Sequence, residues 1–226
     1  VPKLSSIDFV LVPQGAEYQA VCRGLSRVQD SKPQVIAIPV GIHPLRHFLP
    51  KLSLQPNQRL LLMGLCGSLN PQLQVGDVVV YEECVYQGHL RKCDRTLTTE
   101  INSYLSNKSK FVKGLTSDRV ISLATEKQDL FLKTGADVVD MEGFAALEFC
   151  QHIGVNLAMV RVVSDDCRYD IPNLASAISS DGSLQPLSLA WEFLRQPIPA
   201  WRLIRGSLTG LKILEQITTL LFNLSA

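Results

Sequence analysis

Two runs of the chain, Leu60-Leu61-Leu62-Met63 and Leu157–Val163, are apolar on both faces of an extended strand. Such strands belong in the middle of a sheet covered on both sides, because a half-covered sheet leaves every second residue to water. Shorter β-branched runs recur, and together they predict strands at Ile7–Pro13, Gln34–Gly41, Arg59–Gly67, Asp77–Tyr86, Phe111–Thr116 and Asn156–Ser164. Amphipathic segments at Ala16–Arg27, Pro44–Leu52, Thr98–Ser106, Glu126–Lys133 and Met141–Ile153 read as helices between them. The alternation predicts an α/β three-layer sandwich, a central mixed sheet with helices on both faces. A chain of 226 residues can hold this as one core, and no repeat, low-complexity tract or linker divides it.

Residues 1–196 form the predicted domain, and 197–226 its C-terminal helical tail. Pro197 and Pro199 interrupt the preceding helix. Arg202, Arg205, Thr209, Lys212, Gln216, Thr219 and Asn223 then recur every three or four residues, a polar stripe on a helix otherwise rich in Leu, Ile, Trp and Phe. Such a helix ordinarily packs on its own core or on a partner subunit. The sharper reading is contact with lipid or a greasy substrate through 198–226, because the polar face carries three basic residues and one acid.

Composition narrows the function. A formal net charge of +1 with no cluster of Lys and Arg argues against a nucleic-acid partner. The six cysteines (Cys22, Cys66, Cys84, Cys93, Cys150, Cys167) form no CxxC pair, and no His stands at ligand spacing, so no metal is expected. Free thiols fit a reducing cytoplasm. The opening Val1-Pro2-Lys3 has no signal-peptide pattern, and no run nears the ~20 apolar residues of a spanning helix. The expected location is cytoplasmic, with membrane association only through the tail.

Three segments at the ends of predicted strands carry candidate chemistry, since ligands of open α/β sheets bind beyond the carboxyl ends of strands. In Gly64-Leu65-Cys66-Gly67-Ser68-Leu69 the glycines let backbone approach a ligand. In Val139-Asp140-Met141-Glu142-Gly143-Phe144-Ala145-Ala146, Glu142 falls in the first turn of a helix, placed to accept hydrogen bonds from two adjacent hydroxyls such as a ribose diol. Gly143, Ala145 and Ala146 allow that helix to pack closely on the sheet. In Val160-Arg161-Val162-Val163-Ser164-Asp165, an acid directly after a buried strand sits where desolvation keeps it protonated and able to donate to a leaving group.

Taken together, Gly-x-Cys-Gly-Ser-Leu-x-Pro-x-Leu-x-Val-Gly-Asp at 64–77, Val-Asp-Met-Glu-Gly-x-Ala-Ala at 139–146 and Val-Arg-Val-Val-Ser-Asp at 160–165 resemble the nucleoside phosphorylase family, which includes purine nucleoside phosphorylases and methylthioadenosine/S-adenosylhomocysteine nucleosidases. The resemblance implies cleavage of a purine N-ribosyl bond. Met141 would pack on the ribose and Glu142 hold its hydroxyls. Asp165 would protonate the departing purine at N7, oriented by Ser164. Glu17 is the nearest match to the glutamate that holds the nucleophile in the hydrolases. Gly64, Cys66 and Gly67 would border the sugar, and Val120 stands where the nucleosidases stack an aromatic on the base. No cofactor is implied; phosphate enters only as a co-substrate. Its usual ligands are replaced by Leu62 and Leu65, which favours water. The family also implies a homo-oligomer.

A narrower resemblance joins Ser164-Asp165, Asp170-Ile171-Pro172, Asp181-Gly182 and Leu194-Arg195-Gln196-Pro197 to the hopanoid-associated phosphorylases. It implies release of adenine from a 5′-substituted adenosine, with adenosylhopane as candidate. The alternatives are a methylthioadenosine/S-adenosylhomocysteine nucleosidase and a nucleoside-binding protein without turnover.

Overall fold

The computed structural model describes residues 7–29, 32–105, 108–174, 191 and 193–223; of the motifs above, Asp181-Gly182 lies outside them. Its strands are β1 (Phe9–Pro13), β2 (Gln34–Ile38), β3 (Arg59–Ser68), β4 (Val78–Tyr86), β5 (His89–Lys92), β6 (Lys110–Thr116), β7 (Val138–Asp140) and β8 (Asn156–Asp165). The helices are α1 (Ala16–Ser26), α2 (Ile42–Phe48), α3 (Arg95–Tyr104), α4 (Ala124–Thr134), α5 (Gly143–His152) and α6 (Pro197–Phe222). Each predicted strand and helix is present, with shifted ends. The sequence reading missed β5 and β7. β7 has three residues, too few for a period to show. β5 is a polar edge strand, joined to β4 by a two-residue turn at Gln87 and Gly88, both with positive φ as a tight hairpin requires.

The sheet is mixed, as expected, but its middle closes on itself. β3 pairs with β8 in parallel, β8 with β4 antiparallel, β4 with β6 in parallel, β6 with β7 in parallel, and β7 with β3 antiparallel. These five strands form a ring. β1 and β2 extend it beyond β3, and β5 extends it beyond β4.

The two central runs behave as their sequences demand. Leu60 and Leu62 of β3 join Leu157 and Met159 of β8 in one core, under Leu45, Phe144, Ala146 and Cys150 of α2 and α5. Leu61 and Met63 join Ala158 and Val160 in a second core, under α1, α3 and α6. The pleat sends alternate residues to opposite layers, and both layers are apolar.

The C-terminal half of α6 packs inward, where Leu214, Ile217, Leu221 and Phe222 are buried. It lies along α1: Thr219 Oγ1 donates to the Gly24 carbonyl at 3.0 Å, and Glu215 pairs with Arg23 and Arg27. No helix among the described residues is long and apolar enough to cross a membrane.

Gly24 sets the approach of the two helices, since a Cβ there would stand 2.6 Å from the Glu215 carbonyl and 2.7 Å from Thr218 Cβ. Alanine gains about 1 kcal/mol of helix propensity, but overpacking costs about 1–3 kcal/mol. Gly24→Ala is therefore expected to lower the urea midpoint modestly, and Gly24→Val much further.

Candidate active site

β8 carries an arginine inside its apolar run. Arg161 has no exposed surface, so its charge has to be answered by neighbours. Nη2 donates to Glu142 Oε2 at 3.1 Å and to Asp140 Oδ2 at 3.3 Å. Asp140, the last residue of β7, accepts from Thr116 Oγ1 at 2.8 Å and from the Gly143 N–H at 3.1 Å. Thr116, which ends β6, accepts from the Phe144 N–H at 2.8 Å and lies 3.2 Å from Cys84 Sγ on β4. With Cys66 on β3, every strand of the ring contributes a buried polar or thiol group.

Glu17, in the first turn of α1, reaches the same place from the other side of β3. Its Oε1 accepts from the Leu65 N–H at 2.6 Å. A Cβ on Gly64 would come within 2.6 Å of that oxygen and would also strike Nη1 of Arg161, so Gly64 is the space that both side chains occupy. Three carboxyls thus face one guanidinium. Burial pushes Glu17 up to about 7; Arg161 opposes the shift, and Glu142 adds to it. Burial raises Glu142 as well, against the pull of Arg161. Burial alone would discharge Arg161, but Asp140 and Glu142 hold it above its ordinary value. Nε and Nη1 of Arg161 have no hydrogen-bond partner among the described residues.

Asp165 ends β8, across from Gly67 of β3. A Cβ on Gly67 would stand 2.9 Å from Asp165 Oδ2, so this glycine also makes room for a carboxylate. Ser164 Oγ lies 2.9 Å from Asp165 Oδ1 and 3.2 Å from the Cys66 carbonyl. The expectation of a lone, desolvated acid is corrected, because Asp165 Oδ2 forms an ion pair with Lys127, whose side chain is fully buried. Lys127 Nζ also donates to the Asp166 carbonyl at 3.0 Å. α4 delivers this lysine, and Asp170 anchors the helix: its carboxylate accepts from the Ala124 N–H at 2.7 Å, at the first residue of α4.

Other sequence readings shift in detail. Gly64, Cys66 and Gly67 lie within β3, inside the predicted strand Arg59–Gly67, and the strand runs on one residue further to Ser68. Glu142 is the N-cap of α5, not a first-turn residue. Its Oε1 accepts from the Gly41 N–H at 3.0 Å, so the carboxylate is held by Gly41 and Arg161, not by the start of its own helix. Half-buried Met141 neighbours Gly41. Val120 lies in the irregular segment between β6 and α4, which the Ile171 N–H ties to Asp165's own loop by bonding to the Ser122 carbonyl at 2.9 Å. Burial raises the Cys66 thiol well above its usual value, which keeps it neutral and unsuited to attack. The sequence reading gave Arg161, Asp140 and Lys127 no role.

A family model for the phosphorylase superfamily matches residues 53–176. No curated protein matches in sequence. Among solved structures, the futalosine hydrolase of Helicobacter pylori strain 26695 has a TM-score of 0.68 at 14% identity, covering 94% of this chain and 95% of its own. A 5′-methylthioadenosine/S-adenosylhomocysteine nucleosidase of H. pylori has 0.63 at 16%, over 94% and 98%. A Borrelia burgdorferi B31 protein assigned to the same nucleosidase activity and bound to adenine has 0.69 at 13%, also over 94% and 98%. These likenesses establish the fold.

The cluster of carboxyls should lower stability in a pH-dependent way. Glu17 titrates near 7 in the folded chain against 4.5 for its ordinary value. Between those values the unfolded chain has released the proton that the folded chain keeps, so this group's contribution to stability falls as pH rises, and the loss is complete above 7. Glu17→Gln is therefore expected to raise the melting temperature at pH 8 and change it little at pH 4.5, as scanning calorimetry at the two pH values would read.

Proposed function

The chain belongs to the phosphorylase superfamily, and from that premise we propose that this site cleaves the N-ribosyl bond of a purine nucleoside with water as the acceptor. The observation that carries the reading is Glu17, fixed by the Leu65 amide beside a buried Arg161 whose Nε and Nη1 are unpaired among the described residues. A carboxyl titrating near 7 is suited to take a proton from water at neutral pH. The free N–H groups of Arg161 hold the water oxygen. Glu142 retains lone pairs for the ribose hydroxyls, and Met141 beside it packs on the sugar.

At the other end, Asp165 passes to N7 of the departing base a proton that Lys127 Nζ gives up to it, which leaves Lys127 as the neutral amine until it regains a proton from solvent. The attacking water forms the new bond at C1′ and passes a proton to Glu17, while the glycosidic electron pair leaves with the purine. Phosphate is a poor fit. Three carboxyls already surround the cation, and a dianion beside them adds repulsion to desolvation. Leu62 is buried in β3, and the Leu65 side chain packs on Gly210 of α6, so neither offers a ligand.

The base is adenine in this reading, on an adenosine with a bulky 5′ group, adenosylhopane being the candidate. A cleft of about 460 Å³ beside Ser164 and Asp165, walled partly by Tyr169, Ile171, Trp201 and Leu203, supports an apolar group larger than ribose and base. The relatives by fold favour a smaller 5′ thioether as the second reading.

Free adenine followed from methylthioadenosine, adenosine and a lipid-tailed adenosine, each with and without phosphate, separates these readings. Release independent of phosphate and fastest with the lipid-tailed substrate is expected; absolute dependence on phosphate would sink the hydrolytic reading, and no release from any substrate would leave a binding protein. kcat/KM should fall as pH drops below about 7, because the base must be unprotonated to act. Glu17→Gln and Asp165→Asn should each lower kcat by about 10²–10⁴-fold. Lys127→Met should lower kcat with little change in KM, and Lys127→Arg, which keeps the charge but cannot release a proton, should not restore it.

A further inference from the structure

α6 is apolar on two sides, and among the described residues only one is covered. Its inner side buries Ala200, Gly206, Gly210 and Leu214 against the core. Its outer side exposes Trp201 (59%), Ile204 (43%) and Leu208 (62%), spaced as one helical face, with Ile198 (65%) a turn earlier. The chain has two tryptophans. The other, Trp191, stands in the segment leading to α6 and is 62% exposed. Large apolar side chains grouped this way seldom face water without a partner.

The charges beside the face select that partner. Arg202, Arg205 and Lys212 flank it, and none has a carboxylate partner among the described residues. Arg202 lies over the Tyr169 ring at 4.2 Å and Arg205 over the Trp201 ring at 5.3 Å, so both cations sit level with the aromatic groups. The one acid of α6, Glu215, is taken by Arg23 and Arg27. Two copies meeting face to face would set these cations against each other. A surface of anionic lipid headgroups over hydrocarbon answers both features, since tryptophan and arginine are the side chains suited to that boundary.

We propose that the outer face of α6 lies in the plane of an anionic bilayer surface, with the cleft beside Asp165 opening at its edge. Trp201, Arg202 and Arg205 line that cleft as well as the exposed face, so the docked helix brings the membrane surface to the site. The inference stands on this face and does not require the cleavage reading. With no spanning helix among the described residues, the contact is peripheral.

The test is co-sedimentation and tryptophan emission with vesicles of phosphatidylcholine containing phosphatidylglycerol, against vesicles of phosphatidylcholine alone. The protein should pellet with the anionic vesicles, its emission should shift to the blue, and high salt should weaken both effects. Ile204→Glu/Leu208→Glu should reduce partitioning by about tenfold or more, while the melting temperature and turnover of a soluble nucleoside stay as in the wild type. Absence of binding to anionic vesicles at low salt would overturn the proposal. So would a change from oligomer to monomer in the double variant by light scattering, which would give the face to a second copy. Vesicle binding without nucleoside cleavage would leave this inference standing and remove the functional one.

Discussion

A guanidinium with no access to water is the constraint around which the rest of the molecule is arranged. Arg161 cannot keep its charge in the sheet interior unless carboxylates meet it there. Asp140 and Glu142 do so from β7 and the start of α5. Asp140 is in turn held by Thr116 and Gly143, and Glu142 by the Gly41 amide. Removing both acids would strand a buried charge, a defect of about 3–5 kcal/mol or more. The third carboxyl, Glu17, is not needed to satisfy the arginine. It is the surplus that gives the site a group titrating near neutrality.

Reactive groups are accommodated here by leaving side chains out. Gly64 and Gly67 face Arg161 and Asp165 across the β3–β8 pairing, and each yields the volume that the opposing functional group fills. The glycines of this segment therefore act through the absence of a Cβ more than through a turn. The same economy explains the neutral thiols nearby: Cys66 and Cys84 are small, fit beside charged neighbours, and are kept from ionising by burial.

What the sequence disclosed follows the length of its signals. The central strands were legible because Leu60–Met63 and Leu157–Val163 have no polar face, and the structure divides their residues between two cores. Asp165 stood out because it ends an apolar strand, and Glu142 because it opens a helix. Arg161 could have been found by the same logic, since a cation between valines in a strand read as buried demands acids nearby. Lys127 left no such trace. In a helix with Glu126, Asp129 and Lys133 it reads as one more solvated charge, and only the docking of α4 by Asp170 turns it inward. β7 was too short to show a period, and β5 too polar.

The ring of strands also fixes the order in which the molecule can become competent. β3 and β8 pair directly although their residues lie about a hundred positions apart in the chain, and β7 closes the circuit from between them in sequence. Loops of that length are slow to shut, so contacts of this kind form late in folding. The groups around Arg161 come from all five strands and from two helices, and no short fragment of the chain holds the set. A ribosome-bound or partly refolded chain would thus lack the assembled cluster until its last long-range pairing is made.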